Sequence, residues 1–145
     1  MKTCEDVMTP NPTCCLPTDN ATKVAELMKR ENIGSVPVIE NNQTRKLIGI
    51  ITDRDLALKI VGEGRDAKST RIEAVMTRKV VAVRADDDLQ RALEAMSKHQ
   101  IRRIPIVNNE NKIVGIIAQA DVATRVNQPE KTAEVVKDIS QATTK

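Results

Sequence analysis

The sequence predicts a mixed α/β (α+β) fold built from two copies of one small unit. Three observations carry this reading. First, short blocks recur at a fixed distance: Val7-Met8-Thr9 returns as Val75-Met76-Thr77, and Ile33 through Pro37 as Ile101 through Pro105, each 68 residues on (Met8 to Met76). Second, each copy passes from a helical apolar period to two short apolar runs, the pattern of a helix followed by a pair of strands. Third, the second run of each pair ends in a polar strand-to-helix corner. Gly49-Ile50-Ile51-Thr52-Asp53-Arg54-Asp55 returns as Gly115-Ile116-Ile117-Ala118-Gln119-Ala120-Asp121, 66 residues on (Gly49 to Gly115). The two-residue difference falls in Glu40–Arg45, a turn-rich stretch where length varies cheaply.

The units span 1–61 and 71–127, with a polar linker at 62–70 and a tail at 128–145. Each opens on a short amphipathic turn, Cys4–Met8 or Ile72–Met76, and a short extended piece, Thr13–Leu16 or Val80–Val83. A helix follows. Its apolar stripe is Ala21, Val24, Ala25 and Met28 in the first copy, and Leu89, Ala92, Leu93 and Met96 in the second. The run Asp86-Asp87-Asp88 reads as the second helix's N-terminus, where the dipole favours carboxylates. His99 reads as a helix-end residue. The strand pairs are Val36–Ile39 with Leu47–Ile51, and Ile104–Val107 with Ile113–Ile117. Their turns are marked by Asn41-Asn42 and Asn108-Asn109. The second strand of each pair is apolar on successive residues, which predicts cover on both faces. Gly49 and Gly115 inside those strands predict a close approach of backbone or ligand, and Pro37 and Pro105 an edge, a strand start or a bulge. The closing helices are Asp53–Val61 and Gln119–Asn127. Ala133, Val135, Val136 and Ile139 in the tail fit a short amphipathic helix or a frayed end.

With 145 residues, of which 40% are hydrophobic, the chain is long enough for a real core. It contains no Phe, Tyr or Trp, so the core is aliphatic and the stacking platforms of single-strand nucleic-acid binders are missing. Net charge is +3, with Lys and Arg dispersed, a poor nucleic-acid footprint. The three cysteines, Cys4, Cys14 and Cys15, are odd in number and lack C-x-x-C spacing, and a single His is too few for a usual zinc set. They read as free thiols of a reducing, cytoplasmic compartment, one of Cys14 and Cys15 filling a small buried apolar place. No signal peptide is evident, and no apolar run approaches the ~20 residues of a membrane span.

The corner Thr52-x-x-Asp55 carries the chemistry. A strand-to-helix junction presents backbone N–H groups and the positive end of a helix dipole, which suit phosphate, and a carboxylate there accepts from ribose hydroxyls. The same residues form a capping box, Thr as N-cap and Asp at N3, which requires no ligand. Ala118 in the second copy cannot cap through a side chain, yet Asp121 is kept.

The helix–strand–strand–helix order, the apolar-Pro strand and the G-h-h-T-x-x-D corner, present twice over residues 1 to about 127, resemble a CBS-domain pair, or Bateman module, here as a stand-alone chain. The resemblance implies two repeats packed with pseudo-twofold symmetry, small mixed sheets flanked by helices, two clefts between repeats, and a homodimer. It implies a regulatory module that senses an adenosine-containing ligand: AMP, ADP or ATP, or else NAD or S-adenosylmethionine, with no obligatory cofactor. Asp55 matches the family's ribose-binding Asp, and Thr52 the hydroxyl that contacts ribose or phosphate. Arg102-Arg103-Ile104-Pro105 resembles the basic strand start of the AMP-activated kinase regulatory subunit. This implies a composite first site, with Arg102 and Arg103 on the phosphates, Arg54 assisting, and Thr13, Val36 and Pro37 near the base. In the second site Asp121 keeps the carboxylate and Val81, Ile104 and Pro105 line an adenine pocket. Ala118 and Gly34-Ser35 withhold the hydroxyl and the arginine, which implies weaker binding or an uncharged adenosine compound.

Three classes compete. A sensor of adenine nucleotides, acting on a protein partner the sequence does not name, leads. A structural dimerisation module with vestigial clefts is the alternative. An enzyme lacks support: there is no nucleophile–base pair, no metal set and no G-x-x-x-x-G-K-[S/T] loop.

Overall fold

The computed structural model describes residues 2–125; the end of the expected closing helix at 126–127 and the expected tail at 128–145 lie outside the described residues. Among these, the elements are α1 (Cys4–Val7), β1 (Thr9–Pro10), α2 (Ala21–Glu31), β2 (Ser35–Ile39), β3 (Leu47–Thr52), α3 (Asp53–Asp55), a π-helical turn (Leu56–Val61), a 3-10 turn (Ile72–Ala74), β4 (Val83–Arg84), α4 (Leu89–His99), β5 (Arg103–Val107), β6 (Ile113–Ala118) and α5 (Gln119–Arg125). No helix among the described residues is long and apolar enough to cross a membrane.

The chain forms two compact units, and their borders are not those of the sequence copies. One is residues 13–80; the other joins residues 2–12 to 81–125. The opening segment of each copy packs with the body of the other copy. In the 81–125 unit, Thr9 pairs with Ile116 and Pro10 with Gly115, so β1 edges a four-stranded sheet of order β1-β6-β5-β4. In the 13–80 unit, Thr77 bridges Ile50 at the edge of the β2–β3 hairpin, and Cys15 bridges Val38 on the other side.

The Val-Met-Thr block and the strand glycine explain each other. A Cβ on Gly49 would stand 2.8 Å from Met76 Sδ and 3.1 Å from the Thr77 carbonyl oxygen. A Cβ on Gly115 would press on Met8, 2.7 Å from its Cγ and 3.0 Å from its Cβ. The close approach expected from the glycines is therefore made by a methionine of the opening segment.

Each unit has its own aliphatic core. In the 81–125 unit the whole predicted stripe of α4 (Leu89, Ala92, Leu93 and Met96) is buried with Cys4, Val7 and Ile117. In the 13–80 unit Ala21, Val24 and Met28 are buried with Cys15, Val38, Ile51 and Ile72. Ala25 corrects the expectation: it is exposed, and Leu27 covers the flank instead. Strand β3 alternates, with Leu47 and Ile51 buried and Ile48 and Ile50 half-buried, so its second face is covered only in part. Asp88 caps α4 by accepting from Gln90 N (3.2 Å), as the acidic run predicts.

Pro37 sits inside β2, one residue before a bulge at Val38/Ile39. Its missing N–H breaks no β2–β3 bond, because Ile50, its partner, exchanges both backbone bonds with Thr77 at 2.9 Å. The hairpin turns are closed by Asn side chains: Asn41 Oδ1 accepts from Gln43 N and Thr44 N, and Asn108 Oδ1 from Glu110 N and Lys112 N.

Candidate functional site

The corner at the end of β3 forms the predicted capping box. Thr52 Oγ1 accepts from Asp55 N at 3.0 Å, and Asp55 Oδ2 accepts from Thr52 N at 3.0 Å. The second carboxylate oxygen also has a partner that the sequence reading missed. Lys59, four residues on, places Nζ 3.2 Å from Asp55 Oδ1, and the same ammonium donates to the Val75 carbonyl oxygen at 3.0 Å. The Asp55 side chain is 12% exposed and that of Lys59 is 39% exposed. The i, i+4 spacing was a usable signal for the first contact. Nothing local to Lys59 signals the second, which joins segments sixteen residues apart.

Asp53 and Arg54 are exposed on the outer side of the corner. Asp53 N donates to the Gly34 carbonyl at 2.9 Å, and a Cβ on Gly34 would stand 3.0 Å from Asp53 Oδ2. In the 81–125 unit Arg102 occupies the place of Gly34, with Gln119 N donating to its carbonyl at 2.8 Å. The two strand starts thus differ in charge: a carboxylate beside a bare glycine in one, and a basic pair beside a neutral amide in the other.

The Asp121 corner is half a capping box. Asp121 Oδ2 accepts from Ala118 N at 3.0 Å. Ala118 has no hydroxyl to accept from the Asp121 amide; the Thr9 hydroxyl instead donates to the same Asp121 Oδ2, at 3.5 Å. Thr9 belongs to the repeated Val-Met-Thr block, which was visible in the sequence, but its place beside Asp121 follows from the exchange of opening segments. Arg103 pairs in register with Ala118, so the basic pair and Asp121 share one end of the β5–β6 hairpin.

Thr52, Asp55, Arg54, Thr13, Val36 and Pro37 thus belong to the 13–80 unit, and Arg102, Arg103, Ile104, Pro105, Asp121 and Val81 to the other. Val36 and Ile104 are fully buried in the cores of their own units. Pro37 and Pro105 are buried, and Val81 is half-buried against its unit's core. The Thr13 hydroxyl donates to Glu31 Oε1 at 2.7 Å.

A hollow of about 370 Å³ lies in the 13–80 unit, lined by Cys14, Lys23, Arg30 and Arg45 among others; neither Thr52 nor Asp55 lines it. Cys14 is half-buried there, with Arg45 Nη2 3.6 Å from its sulfur. Burial raises its pKa, and the Arg45 guanidinium opposes that. Cys4 is fully buried, and burial, aided by the Asp87 carboxylate, raises it from 9.0 to about 11. Burial, aided by Asp19, raises Cys15 to about 12. Cys14 is therefore expected to react first with iodoacetamide in the folded protein, and Cys4 and Cys15 after unfolding. Mass spectrometry of the native adduct checks the order. The raised values also fix the sign of a pH effect. Below the ordinary thiol range both states hold these protons and stability is complete. As the pH rises from about 9 toward 11 or 12, the unfolded chain binds fewer protons. Stability then falls by up to about 1.4 kcal/mol per pH unit per thiol. A Cys4→Ala, Cys15→Ala variant is expected to lose that slope in urea titrations.

Among the described residues no three of His, Cys, Asp and Glu gather as metal ligands do. Comparison with known proteins gives the family. The CBS domain model matches residues 4–62 and 72–127. The CBS domain-containing protein YhcV of Bacillus subtilis (strain 168) is 35% identical over 140 residues, covering 97% of this chain and 96% of the relative. The structure of Hypoxic Response Protein I, solved with two coordinated zinc ions, is 30% identical with a TM-score of 0.76, over 86% of this chain and 99% of that one. The CBS domain pair of protein MJ0100, solved with 5′-methylthioadenosine and S-adenosyl-L-methionine, is 26% identical with a TM-score of 0.72, over 85% of this chain and 94% of that one. The duplicated hairpin-and-corner unit is a CBS domain, and the chain belongs to the CBS-domain family as a CBS pair.

Proposed function

We propose that this CBS pair is a regulatory module that binds an adenosine-containing ligand and has no catalytic step of its own. The carrying observation is the Asp55 carboxylate, largely buried, charged-pair bonded and fixed by a capping box at a strand-to-helix corner. A carboxylate so held is a ready acceptor for the 2′ and 3′ hydroxyls of a ribose. Both ligands of the MJ0100 pair carry an adenosine ribose, which supports the class. AMP, ADP and ATP are the first choices, because Arg102 and Arg103 offer guanidinium forks for phosphate. Thr52 would contact ribose or phosphate, Arg54 would assist, and Thr13 and Pro37 would approach the base. Asp121, with Val81 and Pro105, is the corresponding set for an adenosine ligand of lower charge. The effect on an as yet unidentified protein partner comes from unequal affinity of the ligand for two arrangements of the chain.

A thermal-shift panel of AMP, ADP, ATP, NAD and S-adenosylmethionine tests this. At least one ligand is expected to raise the melting temperature by several degrees at millimolar concentration, as linkage requires. No response to any of the five would favour the second reading, a homodimerisation module. One observation supports that reading: Leu58 and Val61, on the turn that follows the corner, are 52% and 80% exposed.

A further inference from the structure

We propose that Lys59 is a latch on the Asp55 carboxylate, a specificity-setting residue that a ribose diol must displace. The inference rests on the reading of Asp55 as the ribose acceptor. The geometry around that carboxylate leaves little choice. Oδ2 is held by the Thr52 amide at 3.0 Å, and that bond closes the corner itself. Oδ1 takes no part in closing the corner, and the Lys59 ammonium stands on it at 3.2 Å. A diol needs acceptors for two hydroxyl protons, so an ammonium seated on Oδ1 competes with it directly.

Lys59 is also suited to leave. It is 39% exposed, so its pairing with Asp55 is screened by solvent. Its second bond, to the Val75 carbonyl at 3.0 Å, gives the ammonium a place to stay when it swings away. The turn that carries it, Leu56–Val61, is π-helical, with Gly62 N donating five residues back to Ala57 O at 2.8 Å. Such wide turns are uncommon and are found frequently at functional sites. The far end of the latch is informative as well. Val75 is 2% exposed and precedes Met76, the residue seated on Gly49. The ammonium bridges Asp55 and the Val75 carbonyl, so losing its Asp55 bond leaves it tied to the Ile72–Thr77 segment alone and links occupancy of the corner to that segment.

The test is calorimetric titration of the full chain with adenosine and with AMP, using wild type, Lys59→Met, Lys59→Gln and the Asp55→Asn versions of each. Methionine and glutamine keep the stem and remove the ammonium. Adenosine is the deciding ligand, because it carries no charge for Lys59 to attract. Both Lys59 variants are expected to bind adenosine at least threefold more tightly than wild type, and that gain is expected to vanish in the Asp55→Asn background. Equal or weaker adenosine binding by the Lys59 variants, with wild type still binding, would remove the latch and leave the ribose assignment standing. A gain that persists without the Asp55 carboxylate would also overturn the latch. Failure of every protein to bind adenosine or AMP would remove the latch together with the nucleotide reading.

Discussion

Gly115→Ala is expected to lower the unfolding free energy by about 1–3 kcal/mol, and Gly115→Val by more, as overpacking of a filled site does. The added Cβ would press on Met8, 2.7 Å from its Cγ and 3.0 Å from its Cβ. The obstruction reaches the root of the methionine as well as its flexible tip, so the 2–12 segment has to move. That segment is bound to the body of its unit by other ties: Cys4 N and Glu5 N donate to the Asp87 and Ala85 carbonyls at 2.9 and 3.0 Å, and Cys4 and Val7 are fully buried. It cannot step aside freely. Against a typical total of about 5–15 kcal/mol, the valine variant approaches the loss of the fold. Urea unfolding measures the effect. Met8→Ala in the same chain is expected to recover part of the Gly115→Ala loss, a coupling that distant sites do not show. Strict additivity of the two substitutions would mean that Met8 and Gly115 do not meet.

Asp55→Asn is expected to weaken nucleotide binding by at least tenfold while leaving the chain folded. Asparagine keeps an oxygen for the Thr52 amide, now 3.0 Å from Asp55 Oδ2, so the cap survives in part. What goes is the charge that strengthens hydrogen bonds from ribose hydroxyls. Asp55→Ala also removes the cap and is expected to cost about 1 kcal/mol of stability besides. Arg102→Ala separates sugar from phosphate: it should reduce ATP and ADP affinity more than adenosine affinity. An equal loss for all three would count against a phosphate role for Arg102.

How much of this was legible beforehand differs from residue to residue. The hairpins were, because Asn41 and Asn108 mark the turns and the apolar runs on either side are short. The corner was legible as a capping box because Thr52-x-x-Asp55 is a local pattern in which both partners lie within one turn. The exchange of opening segments was not. Val7-Met8-Thr9 opens one copy and packs with the body of the other, and the two bodies carry the same Gly-bearing strand. Sequence similarity therefore could not say which body each methionine joins. Lys59 was half legible: helical spacing places it near Asp55, but its bond to the Val75 carbonyl depends on the path of the 62–70 linker. The place of Val36 and Ile104 near an adenine came from the family resemblance alone; no local pattern pointed to it. The hairpin pleat turns both side chains inward, each into the core of its own unit.

Asp55 is proposed to hold the sugar of an adenosine ligand. A crystal structure of the protein grown with millimolar AMP tests it most directly. The account predicts ribose hydroxyls within hydrogen-bond distance of the Asp55 carboxylate, with the Lys59 ammonium no longer on Oδ1. Well-ordered AMP bound elsewhere, with Lys59 still seated on Asp55, would contradict it.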